Sequence, residues 1–168
     1  MNEHDELFTR TWYVLHVKPR TEKRVDEFLS ALRVFHCLPL VKKETRVQRR
    51  RVVRYLPVFP GYVFTRLRPD ERRRVYGTQQ IVRMITVANP RRMIHQLRQI
   101  EHASRLPSDL REVTSFEPGE HVRMKSGPFR GIEGYVRRKG TRATLVLELE
   151  ILGRALEVSV DPADVERM

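Results

Sequence analysis

Tyr55-Leu56-Pro57-Val58-Phe59-Pro60-Gly61-Tyr62-Val63-Phe64 runs for ten residues without a charge, in a chain that is 32% charged. Its two prolines withhold backbone donors, so the part up to Pro60 fits an edge strand or a bulge and not the middle of a sheet. Strand geometry resumes after Gly61, where Tyr62, Val63, Phe64 and Thr65 alternate beyond a tight Pro-Gly corner. Val63 and Phe64 suit the core of that strand. Phe59 and Tyr62 flank the corner and are expected to be exposed there, as aromatic anchors for a partner.

Outward from this island the charge is uneven. Residues 1–113 hold 24 Lys and Arg against 12 Asp and Glu, whereas residues 114–168 hold nine of each, so the whole excess of +12 lies in the first part. This asymmetry implies two modules, one facing a polyanion and one doing something else. The length of 168 residues allows one large or two small domains. No stretch reads as a signal peptide or a membrane-spanning run, so a cytoplasmic protein with no membrane contact is expected. The single cysteine, Cys37, excludes an internal disulfide and leaves no cysteine framework for zinc, and it reads as a small buried apolar residue.

Before the island, Trp12-Tyr13-Val14-Leu15-His16-Val17 reads as a strand, with residues 1–10 a disordered terminus. Thr21 is placed to cap a helix with Val25, Phe28, Leu29 and Leu32 on one face. A strand starts at Leu38 to Val41 and runs into Arg46–Arg54, which has five arginines in nine residues. Its interspersed valines suggest the tip and arms of a β-hairpin. Arginines so crowded repel one another unless they are solvated or face phosphate. After the island, Pro69–Tyr76 starts a helix with acid in its first turn, Ile81–Val87 is a strand, and Asn89-Pro90 opens a helix with Met93, Ile94, Leu97 and Ile100 on one stripe. That order gives an α+β sandwich, a mainly antiparallel sheet flanked by helices, over residues 11–105.

Residues 106–115 lack a period and read as a linker. Beyond them the texture is short alternating strands: Val122 and Met124; Ile132, Gly134 and Val136; Ala143, Leu145, Leu147, Leu149 and Ile151; Leu156, Val158 and Val160. Turns fall at Pro118-Gly119, Ser126-Gly127-Pro128, Lys139-Gly140 and Leu152-Gly153. Strands so short hide their edges by curling into a small all-β barrel, here residues 116–168. Gly127-Pro128 forms a turn projecting Phe129, and Gly134 sits where a barrel corner leaves no room for a side chain.

The stretch Val122–Val136 resembles a KOW motif, and with Ile151-Leu152-Gly153-Arg154-Ala155 after it resembles the C-terminal domain of NusG-family transcription factors. Trp12-Tyr13-Val14, Phe59-Pro60-Gly61-Tyr62-Val63 and Ile81-Val82-Arg83 resemble the family's N-terminal domain, in the family's order. The resemblance implies an α+β sandwich followed by an SH3-like barrel, and a monomeric, non-catalytic elongation, antitermination or termination factor without a cofactor. It implies that the first domain sets an aromatic groove against the clamp helices of the largest subunit of RNA polymerase. Trp12, Phe59 and Tyr62 match positions lining that groove, with Tyr13 and Pro60 beside them. Arg72, Arg73 and Arg74 fall where related factors contact the non-template DNA strand. Arg49, Arg50 and Arg51 on the hairpin are further nucleic-acid candidates by their crowding of charge, and non-template and upstream DNA are the expected nucleic-acid partners. On the barrel, Phe129, Ile151 and Leu152 match positions facing a small-subunit ribosomal protein and, in general factors, the termination helicase Rho. Leu152 departs from the phenylalanine usual in general factors, which weakens Rho more than the ribosomal partner and inclines the reading to a specialised paralogue. The strand alternation implies a resident barrel, an open groove and independent tumbling of the two domains.

A ribosome-associated KOW protein that binds RNA is the alternative, but it calls for a basic barrel and this segment is neutral. His95 and His102 have no third ligand nearby in sequence, so no metal site is expected. Glu148 and Glu150 read as solubilising charges.

Overall fold

The computed structural model describes residues 9–116 and 119–168. In chain order the first elements are β1 (Thr11–Val17), α1 (Glu22–Ala31), β2 (His36–Cys37), β3 (Leu40–Val47), β4 (Arg50–Pro57), β5 (Tyr62–Leu67), α2 (Pro69–Tyr76), β6 (Ile81–Thr86) and α3 (Pro90–Ser104). Strands and two short 3-10 turns follow: β7 (Arg111–Val113), β8 (Glu120–Met124), β9 (Glu133–Lys139), β10 (Arg142–Leu149), a 3-10 turn (Glu150–Leu152), β11 (Arg154–Val160), a second 3-10 turn (Pro162–Asp164) and β12 (Val165–Arg167). An α+β part with an antiparallel sheet therefore precedes an all-β part, as the residue patterns require. The chain forms two compact units, one containing Leu56–Pro90 and the residues up to Pro39, the other Leu40–Tyr55 with Arg91–Met168.

The first unit is built on a four-stranded antiparallel sheet in the order β2-β5-β1-β6. Alternation along β1 puts Leu15 and Val17 on one face, where they bury with Val63 and Leu67 of β5, Val25 and Leu29 of α1, and Val75 of α2. The i, i+4 pair Val25 and Leu29 is thus the inner stripe of α1. That helix ends where Arg33 takes the left-handed conformation at φ +54°. Thr21 stands at its N-cap, but the hydroxyl donates to the Lys18 carbonyl at 2.7 Å and no side-chain cap forms. At the start of α2 the Glu71 carboxylate accepts the Arg68 N–H at 2.8 Å, which satisfies a donor the helix cannot.

The second unit contains the two-stranded ribbon β3-β4, helix α3 and a six-stranded antiparallel sheet in the order β12-β8-β9-β10-β11-β7. Leu145, Leu147 and Leu149 on β10 bury as their spacing predicts. Val146 and Ala155 are also fully buried, so β10 and β11 are covered on both faces at their centres. Gly134 is where β9 passes too close for a side chain: a Cβ there would lie 2.8 Å from both the Val146 carbonyl and Leu147 Cδ2.

Two boundaries differ from the sequence reading, and one helix makes contacts beyond its expected domain. Arg111–Val113, inside the expected linker, is a strand, because Val113, Glu112 and Arg111 find the free edge of β11 opposite Ala155, Leu156 and Glu157. Arg10, at the end of the expected disordered terminus, is held by Glu71 at 3.1 Å; residues 1–8 and Pro118 of the expected Pro118-Gly119 turn lie outside the described residues. Helix α3, read as closing the first domain, is tied to the all-β segment. Gln99 Oε1 accepts the Glu133 N–H at 3.0 Å, and Gln96 Oε1 accepts the Glu150 N–H at 3.2 Å.

Candidate functional site

The uncharged stretch becomes the end of β4, a corner and β5. Phe59 to Tyr62 is a β-turn closed by the Tyr62 N–H on the Phe59 carbonyl at 3.2 Å, with Pro60 second and Gly61 third at φ +88°. That φ belongs to the third position of a type II turn and favours glycine. Three further bonds pin the corner: the Val58 N–H to the Pro39 carbonyl at 2.8 Å, the Val17 N–H to the Gly61 carbonyl at 2.9 Å, and the Gly61 N–H to the buried carboxylate of Glu22 at 2.8 Å.

This anchoring turns Phe59 inward. It is 1% exposed, contrary to the expectation that the corner displays it; Pro60 is exposed and Tyr62 half-buried. Tyr62 stands directly opposite His16 and stacks on it, with ring centroids 5.0 Å apart and planes 18° from parallel. Since directly paired residues share a face, Trp12, Val14 and His16 look the same way as Tyr62, Phe64 and Arg66. Trp12 meets Phe35 edge to face at 5.3 Å, and Phe35 is 62% exposed. Two ring pairs thus sit about 13 Å apart along β1, with Val14 and Phe64 fully buried between them. Cys37, opposite Phe64, is half-buried, not buried as its composition suggested.

Tyr13 does not join this face. It pairs with Thr65, packs against the helix-covered core, and receives Arg72, whose guanidinium lies 5.6 Å from the rings of both Tyr13 and Tyr76. Arg72 is therefore held by aromatic rings, whereas its neighbours Arg73 and Arg74 are simply exposed. Beside it Glu71 is buried, and burial pushes its carboxyl up; Arg10, the Arg68 N–H and the Arg68 charge outweigh that and hold it below the ordinary value.

In the second unit Arg49 and Arg50 are exposed, and Arg51 is paired with Glu44. The Arg51 and Lys42 side chains draw the Glu44 carboxyl down to about 2. Phe129 is 6% exposed and does not project from its turn, where the Ile132 N–H closes on the Phe129 carbonyl at 3.0 Å. Ile151 and Leu152 are half-buried in a 3-10 turn ended by Gly153 at φ +61°. Glu150 is not a free solubilising charge, since it pairs with Arg92. Glu148 lines a cavity of about 260 Å³ with His95, Gln99, His121 and Tyr135.

The family model described as NusG, transcription termination factor, matches residues 10–104, more than half the chain. The chain belongs to the NusG family. Similar relatives span it end to end: the transcription termination/antitermination protein NusG of Borreliella burgdorferi is 25% identical over 95% of this chain and 100% of its own length. The NusG proteins of Staphylococcus carnosus and Staphylococcus aureus are 27% and 28% identical, each over 98% of this chain and 99% of their own. A solved structure described as domain interaction in Thermotoga maritima NusG matches with a TM-score of 0.49 at 17% identity, over 96% of this chain and 99% of its own. Within this NusG-family chain, Phe35 and His16 join the candidate site although sequence reasoning did not place them there. Phe35 stands alone between a helix end and a two-residue strand, and His16 gains its meaning only from the partner opposite it.

Proposed function

We propose that the chain is a non-catalytic transcription elongation and antitermination factor. It holds RNA polymerase through the Trp12 face of its first sheet, with residues 11–105 as the polymerase-binding domain. The observation that carries this reading is the pair of ring contacts on one sheet face, Trp12 with Phe35 and His16 with Tyr62. Aromatic rings presented on a rigid strand anchor partners at low entropic cost. Val14 and Phe64 between them are fully buried, so a partner meets the half-buried Trp12 and Tyr62 and the exposed Phe35 at the ends of the face; the clamp helices of the largest subunit are the occupant we assign. Phe59 supports the corner from below and does not touch the partner.

Residues 116–168 recruit a second protein, the small-subunit ribosomal protein or Rho. Ile151 and Leu152 are the accessible apolar contacts, and Leu152 inclines the assignment to the ribosomal partner of a specialised paralogue. Basic residues of the chain contact DNA beside the polymerase. The test of the polymerase reading is binding and pause kinetics of the full-length protein. Trp12→Ala is expected to weaken association about 30-fold, the loss of one hot-spot side chain, and to lower antipausing in proportion. Unchanged binding by a Trp12→Ala/Tyr62→Ala double variant that remains folded would refute the assignment.

A further inference from the structure

We propose that the β3-β4 ribbon is an arm that enters the major groove of B-form duplex DNA. This rests on the reading that the hairpin's basic residues meet DNA beside the polymerase, and adds how the ribbon engages it, by which groove and with which faces. Between Leu40 and Tyr55 stand seven Lys and Arg and one Glu, so this segment holds +6 of the chain's +12. The two strands pair with each other alone in their sheet, and every residue from Lys42 to Arg51 is exposed. A two-stranded ribbon bare on both sides gains little from burial and is marginal in water by itself. Its form is suited to being surrounded by a partner.

The two-residue connection sets Val47 opposite Arg50 and so divides the side chains. Lys43, Thr45, Val47, Arg50, Val52 and Arg54 share one face, which carries three cations and no acid. Lys42, Glu44, Arg46, Arg51, Val53 and Tyr55 share the other, where Glu44 pairs with both Lys42 and Arg51. Lys43, Arg46, Arg49, Arg50 and Arg54 make no ion pair among the described residues. Cations on both faces suit a groove with a phosphate backbone on each side and do not suit a flat acidic protein surface. At the tip, Gln48 and Arg49 adopt φ +47° and +66°. Two-residue hairpin turns with both residues at positive φ favour Asn-Gly, Asp-Gly or Gly-Gly; this one instead holds an amide and a guanidinium foremost, the groups that pair with adenine and guanine edges in the major groove.

Dimensions and composition choose among nucleic acids. The major groove is about 12 Å wide and about 8.5 Å deep and admits a two-stranded ribbon; strands of eight residues reach about 27 Å. A-form RNA presents a major groove too narrow to enter. Single strands are held by stacking, and the only aromatic side chain on the ribbon, Tyr55, lies at its base and not at its tip.

The test is anisotropy of full-length protein with a labelled 20-base-pair DNA duplex, its single strand and the matching RNA duplex, between 50 and 200 mM salt. With five or six phosphates neutralised, the log of the duplex-DNA binding constant is expected to fall with log salt at a slope of about −5. Lys43→Gln/Arg50→Gln/Arg54→Gln should make that slope shallower by about 2.7 and weaken duplex binding at least tenfold. Trp12→Ala should leave DNA binding as it is, and the triple variant should still bind polymerase, so the two readings fail separately. Tighter binding to the single strand, equal binding to the RNA duplex, or an unchanged slope in a triple variant with wild-type circular dichroism would overturn the proposal.

Discussion

Phe59→Ala separates a structural role at the corner from a role in contacting a partner. The ring is 1% exposed, and a buried phenylalanine removes about 150 Å² or more from water. At about 25 cal/mol per Å² that is about 4 kcal/mol of transfer free energy, and the cavity left behind keeps the loss in the range of about 3–5 kcal/mol. Against a total stability of about 5–15 kcal/mol, that is a large share. Urea unfolding followed by the fluorescence of Trp12, the chain's single tryptophan, reports on the same unit. With a urea dependence near 2 kcal/mol/M, the midpoint should fall by about 2 M. Phe35→Ser is the control: that ring is 62% exposed, so its loss forfeits the edge-to-face contact with Trp12 and costs about 1 kcal/mol. A Phe59→Ala midpoint within half a molar of wild type would show that the side chain is not in rigid packing. The corner would then be displaying it after all.

Two further outcomes follow from the packing and the charges. Gly134→Ala should destabilise the all-β segment by about 1–3 kcal/mol, because the new methyl meets the Val146 carbonyl as well as a movable Leu147 branch; proteolysis confined to residues after 105 would reveal it, and wild-type resistance would count against the close approach. Glu71→Gln should cost about 1 kcal/mol at pH 7, since Arg10 and Arg68 are partly exposed and water screens them. Burial raises the Glu71 carboxyl pKa, but its arginine and backbone partners lower it further, so the net folded-state value lies below the ordinary 4.5. The carboxylate's contribution is therefore complete above pH 4.5 and vanishes as pH falls through the lowered value, and wild type and variant should converge in stability there. A constant difference down to pH 3 would exclude Glu71 as the source.

Much of this fold can be read from local pattern. The alternation in Trp12–Val17, the i, i+4 pair Val25 and Leu29, and the Pro-Gly corner each state their structure within a few residues, and Gly134 announces a crowded crossing. Phe59 could not be read that way. A turn type fixes the bend but not which flank faces inward, and here the choice is made by Pro39, Val17 and Glu22, all distant in sequence. The same holds for β7: three residues with no period become a strand because β11 offers an unpaired edge. Tyr13 and Trp12 are neighbours that a linear motif treats as one feature, yet a strand sends them to opposite faces, one to Arg72 and one to Phe35.

Charge gives the last connection between sequence and proposed function. The neutral total of the all-β segment does not reflect dilution, since four of its acids are each engaged by arginine: Glu133 by Arg123 on the paired strand, Glu157 by Arg111 and Arg137, Glu112 by Arg154, and Glu120 by Arg167. All but one of these pairs bridge neighbouring strands, Arg137 of β9 reaching Glu157 of β11 across β10, and they hold arginines that would otherwise repel. The ribbon has the same crowding of arginine and only Glu44 to answer it. Unrelieved repulsion destabilises a hairpin that has little buried surface to offset it, so stability alone does not account for its composition. On the proposal above, an anion from outside the chain restores the balance that one glutamate leaves incomplete: a duplex offers phosphates to both faces at once, and the B-form major groove is the one wide enough to admit the ribbon.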